Sequence, residues 1–371
     1  MLRFLTAGES HGRGLVAIVE GMPSGMSLIA EDINPDLKAR QGGYGRGGRM
    51  KIESDQVQIL SGVRWGQTLG SPIALLIENK DFANWETKMS VHPEHRDPTI
   101  AIQEPRPGHA DLVGLLKYNR PDIRDILERA SARETAARVA VGAVCRKLLQ
   151  QFSIESVSHV VSIGTVVAPV QSLTFEEIRA RQAASDLKCA DPKAEMTMKV
   201  AIDLAKHEGD SLGGVVEVRV KGLPVGLGSH VHWDRKLDGK LAQSLMSIQA
   251  IKGVEIGLGF QSAFLDGSKV HDEISTDGSV FLRLSNNAGG LEGGMTTGED
   301  LVLRAAMKPI ATLQRPKKTI NPFTKQPASA STERSDVCAV TAAAVVAEAA
   351  TLFTVAQAFC EKFGGDSLKE M

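Results

Sequence analysis

The sequence predicts a protein of mixed strands and helices folded as one domain from two related halves, roughly residues 1–200 and 201–371. Three observations lead there. Short apolar runs with strand periodicity alternate with stretches of helical periodicity along the whole chain. Short motifs recur in the same order in both halves. The recurrence distance, near 200 residues, is too long for a solenoid and suits a duplicated domain.

The repeat is legible in particular residues. Gly8-Glu9-Ser10-His11-Gly12 reappears as Gly209-Asp210-Ser211-Leu212-Gly213, a shift of 201 positions. The same shift lays Gly21-Met22-Pro23-Ser24-Gly25 on Gly222-Leu223-Pro224-Val225-Gly226, and Arg133 on Arg334. A shift of 228 lays Gly62, Gly66 and Gly70 on Gly290, Gly294 and Gly298. The copies diverge where chemistry would sit, since His11 faces Leu212. One site near the joint of the halves is expected.

In chain order, Leu2 to Thr6 and Leu15 to Glu20 read as strands. Glu31 to Arg40 reads as a helix that tolerates Pro35 in its first turn. Gln41 to Arg49 is a basic glycine loop. Strands follow near Gln56–Gly62 and Pro72–Glu78. Trp85 to Pro107 is long, irregular and rich in Pro and His, as lids and binding segments are. Ala110 to Tyr118 is helical, and Pro121 to Phe152 is predicted as the longest helix. Ile154–Val166 alternates as a strand, and Glu176–Ala184 and Pro192–Lys206 read as outer helices. Val215–Lys221 is a strand, Arg235–Ile248 a helix and Gly253–Gly259 a strand. Arg315 to Thr332, rich in Pro, Lys and Ser, is predicted to be disordered. Ser335 to Phe363 is a helix apolar on most sides, and so buried.

The stretch Asn286 to Thr312 has the densest glycines, five within ten positions, followed by an apolar strand and then Lys308. Free backbone N–H groups beside a cation and hydroxyls suit a phosphate-bearing ligand, and a plain surface loop reads equally well. It is not a nucleotide P-loop, because no Gly-Lys-Ser/Thr opens a helix there.

Composition narrows the functional classes. A net charge of −1 gives no bulk attraction to nucleic acid or acidic membranes. Aromatics at 4% leave little for base stacking. Cys145, Cys189, Cys338 and Cys360 form no Cys-x-x-Cys pair and read as buried thiols in a reducing compartment. The first residues show no secretory apolar region, and no run of eighteen apolar residues is present. A cytoplasmic protein is expected.

Several polar residues could carry chemistry. His11 sits at a strand end, where an imidazole can deliver a proton near neutrality, or simply hold a turn. His109 follows Gly108 in Arg106-Pro107-Gly108-His109-Ala110-Asp111, where it and Asp111 could also cap a helix. His92 and His95 lack further spaced ligands, so no metal is expected. Arg40, Arg46 and Arg49 surround the glycine loop. Arg129 and Arg133 lie four apart on one helix, and Lys308 and Arg334 complete a cationic set that would bind a polyanion if convergent. Asp336 reads as an N-cap of the last helix, or as a base in a cationic pocket.

Together these motifs resemble the chorismate synthase family. The resemblance rests on Gly8 to Gly12, Arg106 to Asp111, Arg129-Ala130-Ser131-Ala132-Arg133-Glu134-Thr135, Gly289 to Asp300, Met307-Lys308-Pro309-Ile310 and Arg334-Ser335-Asp336. Ala311 and Thr341 stand where the family usually has proline. No flavin-reductase region is present, as in the monofunctional bacterial type.

The resemblance implies elimination of phosphate from 5-enolpyruvylshikimate 3-phosphate, dependent on reduced FMN. It implies His11 as the acid for the departing phosphate, His109 beside the anionic flavin, and Asp336 as handler of the proton at flavin N5. It places Arg129, Ala130, Ser131, Gln249, Ala250, Gly293, Lys308, Pro309, Ile310, Ala311, Thr312 and Arg334 at the flavin. Arg40, Arg46, Arg49 and Arg133 fall to the substrate or to NADPH as a source of reducing equivalents. A separate flavin reductase and a homotetramer are further implications. So is an α+β fold, a pseudo-duplicated sandwich with paired antiparallel sheets inside and helices outside. A Gly/Arg-loop nucleic-acid module and a flavin-binding reductase are the competing readings.

Overall fold

The computed structural model describes residues 1–47, 54–333 and 335–371. Arg49 and Arg334 therefore lie outside the described residues.

The first sheet grows from alternation. Strand β1 (Arg3–Ala7) pairs antiparallel with β2 (Gly14–Glu20), and after helix α1 (Asn34–Gln41) come β3 (Val57–Ile59) and the small hairpin β4 (Val63–Arg64) and β5 (Gln67–Thr68). Strand β6 (Ile73–Glu78) completes the order β1-β2-β6-β3. Leu15, Ala17 and Val19 are buried while Ile18 between them is exposed, the two-residue period of a sheet with one covered face.

Three helices follow: α2 (Asp111–Tyr118), α3 (Arg124–Ala130) and α4 (Thr135–Gln150). The single helix expected over Pro121–Phe152 is broken at Ser131, whose ψ of 142° is extended. Its hydroxyl accepts the Arg133 N–H at 3.2 Å, restarting the chain as a new helical segment.

The second sheet has β7 (Glu155–Ile163), β8 (Val166–Val167), β9 (Gly214–Lys221), β10 (Ile251–Ile256) and β15 (Leu301–Met307) in the order β10-β15-β9-β7-β8. Between them lie α5 (Phe175–Ala183), α6 (Pro192–Glu208) and α7 (Leu237–Met246). An excursion holds α8 (Gly267–Val270) and the hairpin β11 (Ile274–Thr276) and β12 (Phe281–Arg283). The glycine-dense stretch forms hairpin β13 (Leu291–Glu292) and β14 (Met295–Thr296).

Arg315–Thr332, predicted to be disordered, instead holds the hairpin β16 (Lys318–Ile320) and β17 (Pro327–Ser329). Its Thr319 hydroxyl donates to the Pro105 carbonyl at 2.8 Å, so tertiary bonds replace the core that its composition denies it.

The longest helix is α9 (Val340–Phe363). Helices α4 and α9 pack on each other, α4 against β2 and β6, α9 against β7 and β9. The order of layers is thus sheet, helix pair, sheet, and the expectation of paired sheets inside with helices outside is corrected. Apolarity on most sides explains the position of α9: it has a sheet on one side and helices on the others. By length and hydropathy it could cross a membrane, yet 78% of that apolar window is buried within the protein.

The two sheets share their pairing. Leu15 pairs with Ile77, and Val216 with Ala305, which are the same positions moved by 201 and 228. The Thr68 hydroxyl donates to Pro23 O and accepts from Met26 N; the Thr296 hydroxyl does the same with Pro224 O and Leu227 N.

Candidate active site

A pocket of about 450 Å³ opens where the β1–β2 loop, α3, α4 and the segment after β15 meet. That size suits a small-molecule site. Each functional side chain arrives there for a local reason.

His11 rides on the β1–β2 loop. Gly8 has φ +106°, and a Cβ there would lie 2.3 Å from the Gly14 carbonyl oxygen, so the turn requires glycine. The Asn79 amide donates to Glu9 O and Gly12 O, fastening the loop to the end of β6. Glu128 on α3 takes the His11 backbone N–H at 2.8 Å and lies 2.9 Å from its Nδ1. The other face of the imidazole stacks on Trp85, with centroids 4.1 Å apart. Burial pushes the Glu128 carboxyl up, but the bonds from His11 and Arg124 outweigh it and hold it below the ordinary range.

His109 follows Gly108, which has φ +82°. Its Nδ1 meets Asp111 Oδ1 in a close contact, and Arg106 grips the same carboxylate through Nε at 2.8 Å and Nη2 at 3.1 Å. Asp111 therefore serves the motif rather than acting only as a helix cap. Burial opposes its charge, while His109 and Arg106 hold the carboxyl well below its usual 3.8. Arg106 Nη1 also donates to Thr312 Oγ1 at 2.9 Å, and Lys308 Nζ bonds the Gly108 carbonyl. The Arg106–Asp111 motif and the Lys308–Thr312 segment are thus locked into one wall.

Asp336 does not cap the last helix, which begins at Val340 with Ala339 at the cap position. It accepts the Gly47 N–H at 2.6 Å and pairs with Arg46 Nε at 3.2 Å. Arg40, 4% exposed, donates to Thr135 Oγ1 and to the Ala132 carbonyl. Burial and neighbouring Arg133 push its guanidinium down to about 9, which leaves it cationic at neutral pH. Arg133 gives Nη1 to both oxygens of Asp55 at 2.7 Å and Nε to Asn79 Oδ1.

Among the described residues, His11, His109, Asp336, Arg40, Arg46, Arg133, Ala130, Ser131, Gln249, Ala250 and Lys308 to Thr312 all line this pocket. Two expected residues do not. Arg129 turns away to the Thr6 and Gly8 carbonyls and lines the neighbouring open cleft. The kink at Ser131 is the reason: it separates Arg129 and Arg133 into different environments despite their four-residue spacing. Gly293 sits at the β13–β14 turn, with Met295 and His230 as the neighbours its Cβ would meet. The glycine-dense half of its stretch forms the β13–β14 hairpin, and the half from Met307 onward lines the pocket.

Glu128, Trp85 and Asp55 were missed in the sequence. No local spacing marks them, because their partners lie far along the chain. Ala250, with φ +67°, is a strained non-glycine position whose carbonyl accepts the Lys308 N–H at 2.9 Å.

Two imidazoles held at Nδ1 by buried carboxylates, in a pocket walled by guanidinium groups, define an enzyme that binds a small polyanion and moves protons on it. A family model described as chorismate synthase matches residues 2–360. The chorismate synthase of Geobacter metallireducens is 58% identical, with 100% of this chain and 96% of that protein covered. That of Moorella thermoacetica is 60% identical over 99% of this chain and 96% of its own length. A crystal structure of chorismate synthase superposes with a TM-score of 0.80 at 46% identity, covering 100% of this chain and 94% of that one. The chain belongs to the chorismate synthase family, carbon–oxygen lyases of aromatic amino-acid biosynthesis that use reduced flavin.

Proposed function

We propose that the pocket converts 5-enolpyruvylshikimate 3-phosphate to chorismate and phosphate by anti 1,4-elimination, with reduced FMN and no net redox change. The observation that carries this is the meeting of His11, His109 and Asp336 with Arg40, Arg46 and Arg133 in one pocket. The substrate bears two carboxylates and a phosphate, and planar guanidinium groups match such oxygens.

The buried atoms without a hydrogen bond among the described residues include Arg40 Nη1, a donor with only the Asp55 carboxylate at 3.6 Å, and Gln249 Oε1, an acceptor. Both belong to pocket-lining residues, and they suit an anionic oxygen and a ring N–H respectively. The residues present thus fit a substrate and a flavin. Ala130, Ser131, Gln249, Ala250, Lys308, Pro309, Ile310, Ala311 and Thr312 would hold FMN, with Arg334 as a further proposed contact. Arg129 and Gly293 are not assigned to this chain's own pocket. When bound, reduced FMN would supply electron density to the substrate as the phosphate leaves and a base for the departing ring hydrogen. His11 would protonate the phosphate as its carbon–oxygen bond breaks. His109, fixed by Asp111, would face the anionic flavin, and Asp336 would manage the proton associated with N5. Arg40, Arg46 and Arg49 attract the substrate phosphate or the phosphate of NADPH, and a separate reductase supplies reduced flavin.

The protein is read as one pseudo-duplicated domain, halves near 1–200 and 201–371, acting as a cytoplasmic homotetramer without nucleic-acid or membrane partners. The shared register of the two sheets supports the duplication. The outer face of the first sheet supports assembly: Leu5, 70% exposed, pairs with Ile18, 42% exposed. The glycine–arginine loop offers little to nucleic acid up to Gly47, since Arg46 is engaged by Asp336.

The test is anaerobic. Dithionite-reduced FMN and substrate are added, and phosphate and chorismate are followed. His11→Ala and His109→Ala should each lose about 100-fold or more in kcat while still binding FMN. Full turnover in both variants would remove the proton chemistry, and NADPH consumed mole for mole with product would mark a reductase instead.

A further inference from the structure

Three side chains, Glu128, Arg124 and Trp85, close a ring with His11. Glu128 Oε1 lies 2.9 Å from His11 Nδ1 and accepts from Arg124 Nη1 at 2.9 Å. Glu128 Oε2 accepts the His11 backbone N–H at 2.8 Å. The Arg124 guanidinium lies 4.8 Å from the Trp85 ring centroid, and Trp85 stacks on His11. The Glu128 side chain is only 2% exposed, and Arg124 is held further by Glu333 at 3.4 Å. A buried carboxylate with three converging donors has one consistent arrangement: ionised, with a proton on His11 Nδ1.

We propose that Glu128 is the positioning residue for His11, with Arg124 and Trp85 as its supports. It fixes the imidazole as an Nδ1–H donor toward the protein, so that Nε2 alone works in the pocket. This rests on His11 being the acid of the proposed reaction. When Nε2 hands its proton to the leaving phosphate, the ring is left neutral as the Nδ1–H tautomer, the form whose proton Glu128 already accepts. Nε2 is then a free lone pair ready to be reloaded. The ring plane is pinned from both sides, by Glu128 in its plane and Trp85 on its face, so the proton is delivered along one direction.

Glu128→Gln tests this because glutamine cannot serve all three donors. The His11 backbone N–H and Arg124 are obligate donors, so one of its two ends is always opposed. If the amide oxygen takes the backbone N–H, the amide nitrogen faces Nδ1, which must become an acceptor, and the single ring proton moves to Nε2.

The experiment uses the full chain loaded with FMN. Imidazole ¹⁵N–¹H correlation spectra of the neutral ring, with His11→Ala to assign its signals, should show Nδ1–H in the native protein. They should show Nε2–H in Glu128→Gln. That variant should lose about 30-fold or more in kcat, with KM and FMN affinity within about 2-fold, because only the acid is disturbed. Glu128→Asp, which keeps the charge, should restore the tautomer and part of kcat. A native His11 already in the Nε2–H form overturns the proposal and needs no variant to fold. Native kcat in Glu128→Gln overturns it too, whether the tautomer switches or, with the amide oxygen turned to Nδ1 and Arg124, stays as it was. Failure of the reading it rests on looks different: His11→Ala would then turn over normally whatever the tautomer.

Discussion

Asp111 shows how much one buried carboxylate can organise. It holds Arg106 through two side-chain bonds and His109 through Nδ1, so two motif residues depend on its charge. Its folded-state carboxyl sits below the ordinary 3.8. The stabilisation is therefore complete above that value and is lost as pH falls through the lower folded value. Asp111→Asn should cost about 3–5 kcal/mol at pH 7, because it leaves Arg106 buried without its ion pair. Urea melts in a pH series should show this difference shrinking below about pH 3.8, where the carboxyl of the unfolded chain protonates while the folded one is still ionised. A difference that stays constant into acid would mean the charge is irrelevant. Arg133→Met should cost at most ~3–5 kcal/mol, by leaving buried Asp55 with Arg40 Nη1 at 3.6 Å as its remaining cation. Asp55→Asn added to it should recover a large part, which a double-mutant cycle reads directly. The Arg133–Asp55 partnership could not be read from the chain, since 78 positions separate the two.

At the scale of elements, the crossing of α4 and α9 sets the spacing of the layers. Gly142 of α4 sits against Ala349 of α9, where an added Cβ would lie 2.4 Å from the Ala349 Cβ. Small residues at a crossing let two backbones approach closely, and enlarging one forces the helices apart. Gly142→Ala would gain helix propensity and still lose about 1–3 kcal/mol net through overpacking. Thermal or urea denaturation measures the sign; a more stable variant would refute the close crossing. The kink at Ser131 belongs to this scale as well. Helical periodicity runs straight through it, so the sequence reads one long helix, while a single extended ψ turns Arg129 and Arg133 toward different surroundings. The Arg315–Thr332 segment is the opposite case. Its composition resists a core, but bonds to the Glu104 and Pro105 carbonyls give it a hairpin.

Over the whole molecule, the two sheets use the same registers and the same buried threonine. Thr68→Val and Thr296→Val each remove the acceptor of a buried N–H, at Met26 and Leu227 respectively. Each should cost about 1–3 kcal/mol, and the two costs should agree to within roughly 1 kcal/mol if the halves are equivalent. Chemical denaturation of both variants checks this; a large cost on one side alone would break the equivalence. The exposed Leu5–Ile18 pair belongs to the proposed assembly. Leu5→Glu with Ile18→Glu should lower the mass seen by light scattering below four chains and leave the secondary structure intact. An unchanged mass would move the contact elsewhere.

The chain by itself determined most of the strands and helices, the order of the repeated motifs, and the residue types of the site. Periodicity, glycine punctuation and motif spacing are local, and local physics suffices to read them. It also carried the two histidines and most of the cations that line the pocket. Only the tertiary structure decided that the helix pair lies between the sheets, that Arg129 and Gly293 point away, and that Glu128, Asp55 and Trp85 belong beside the chemistry. Those outcomes depend on which distant groups meet once water is excluded, and a buried charge or an apolar face takes whatever partner the fold brings to it.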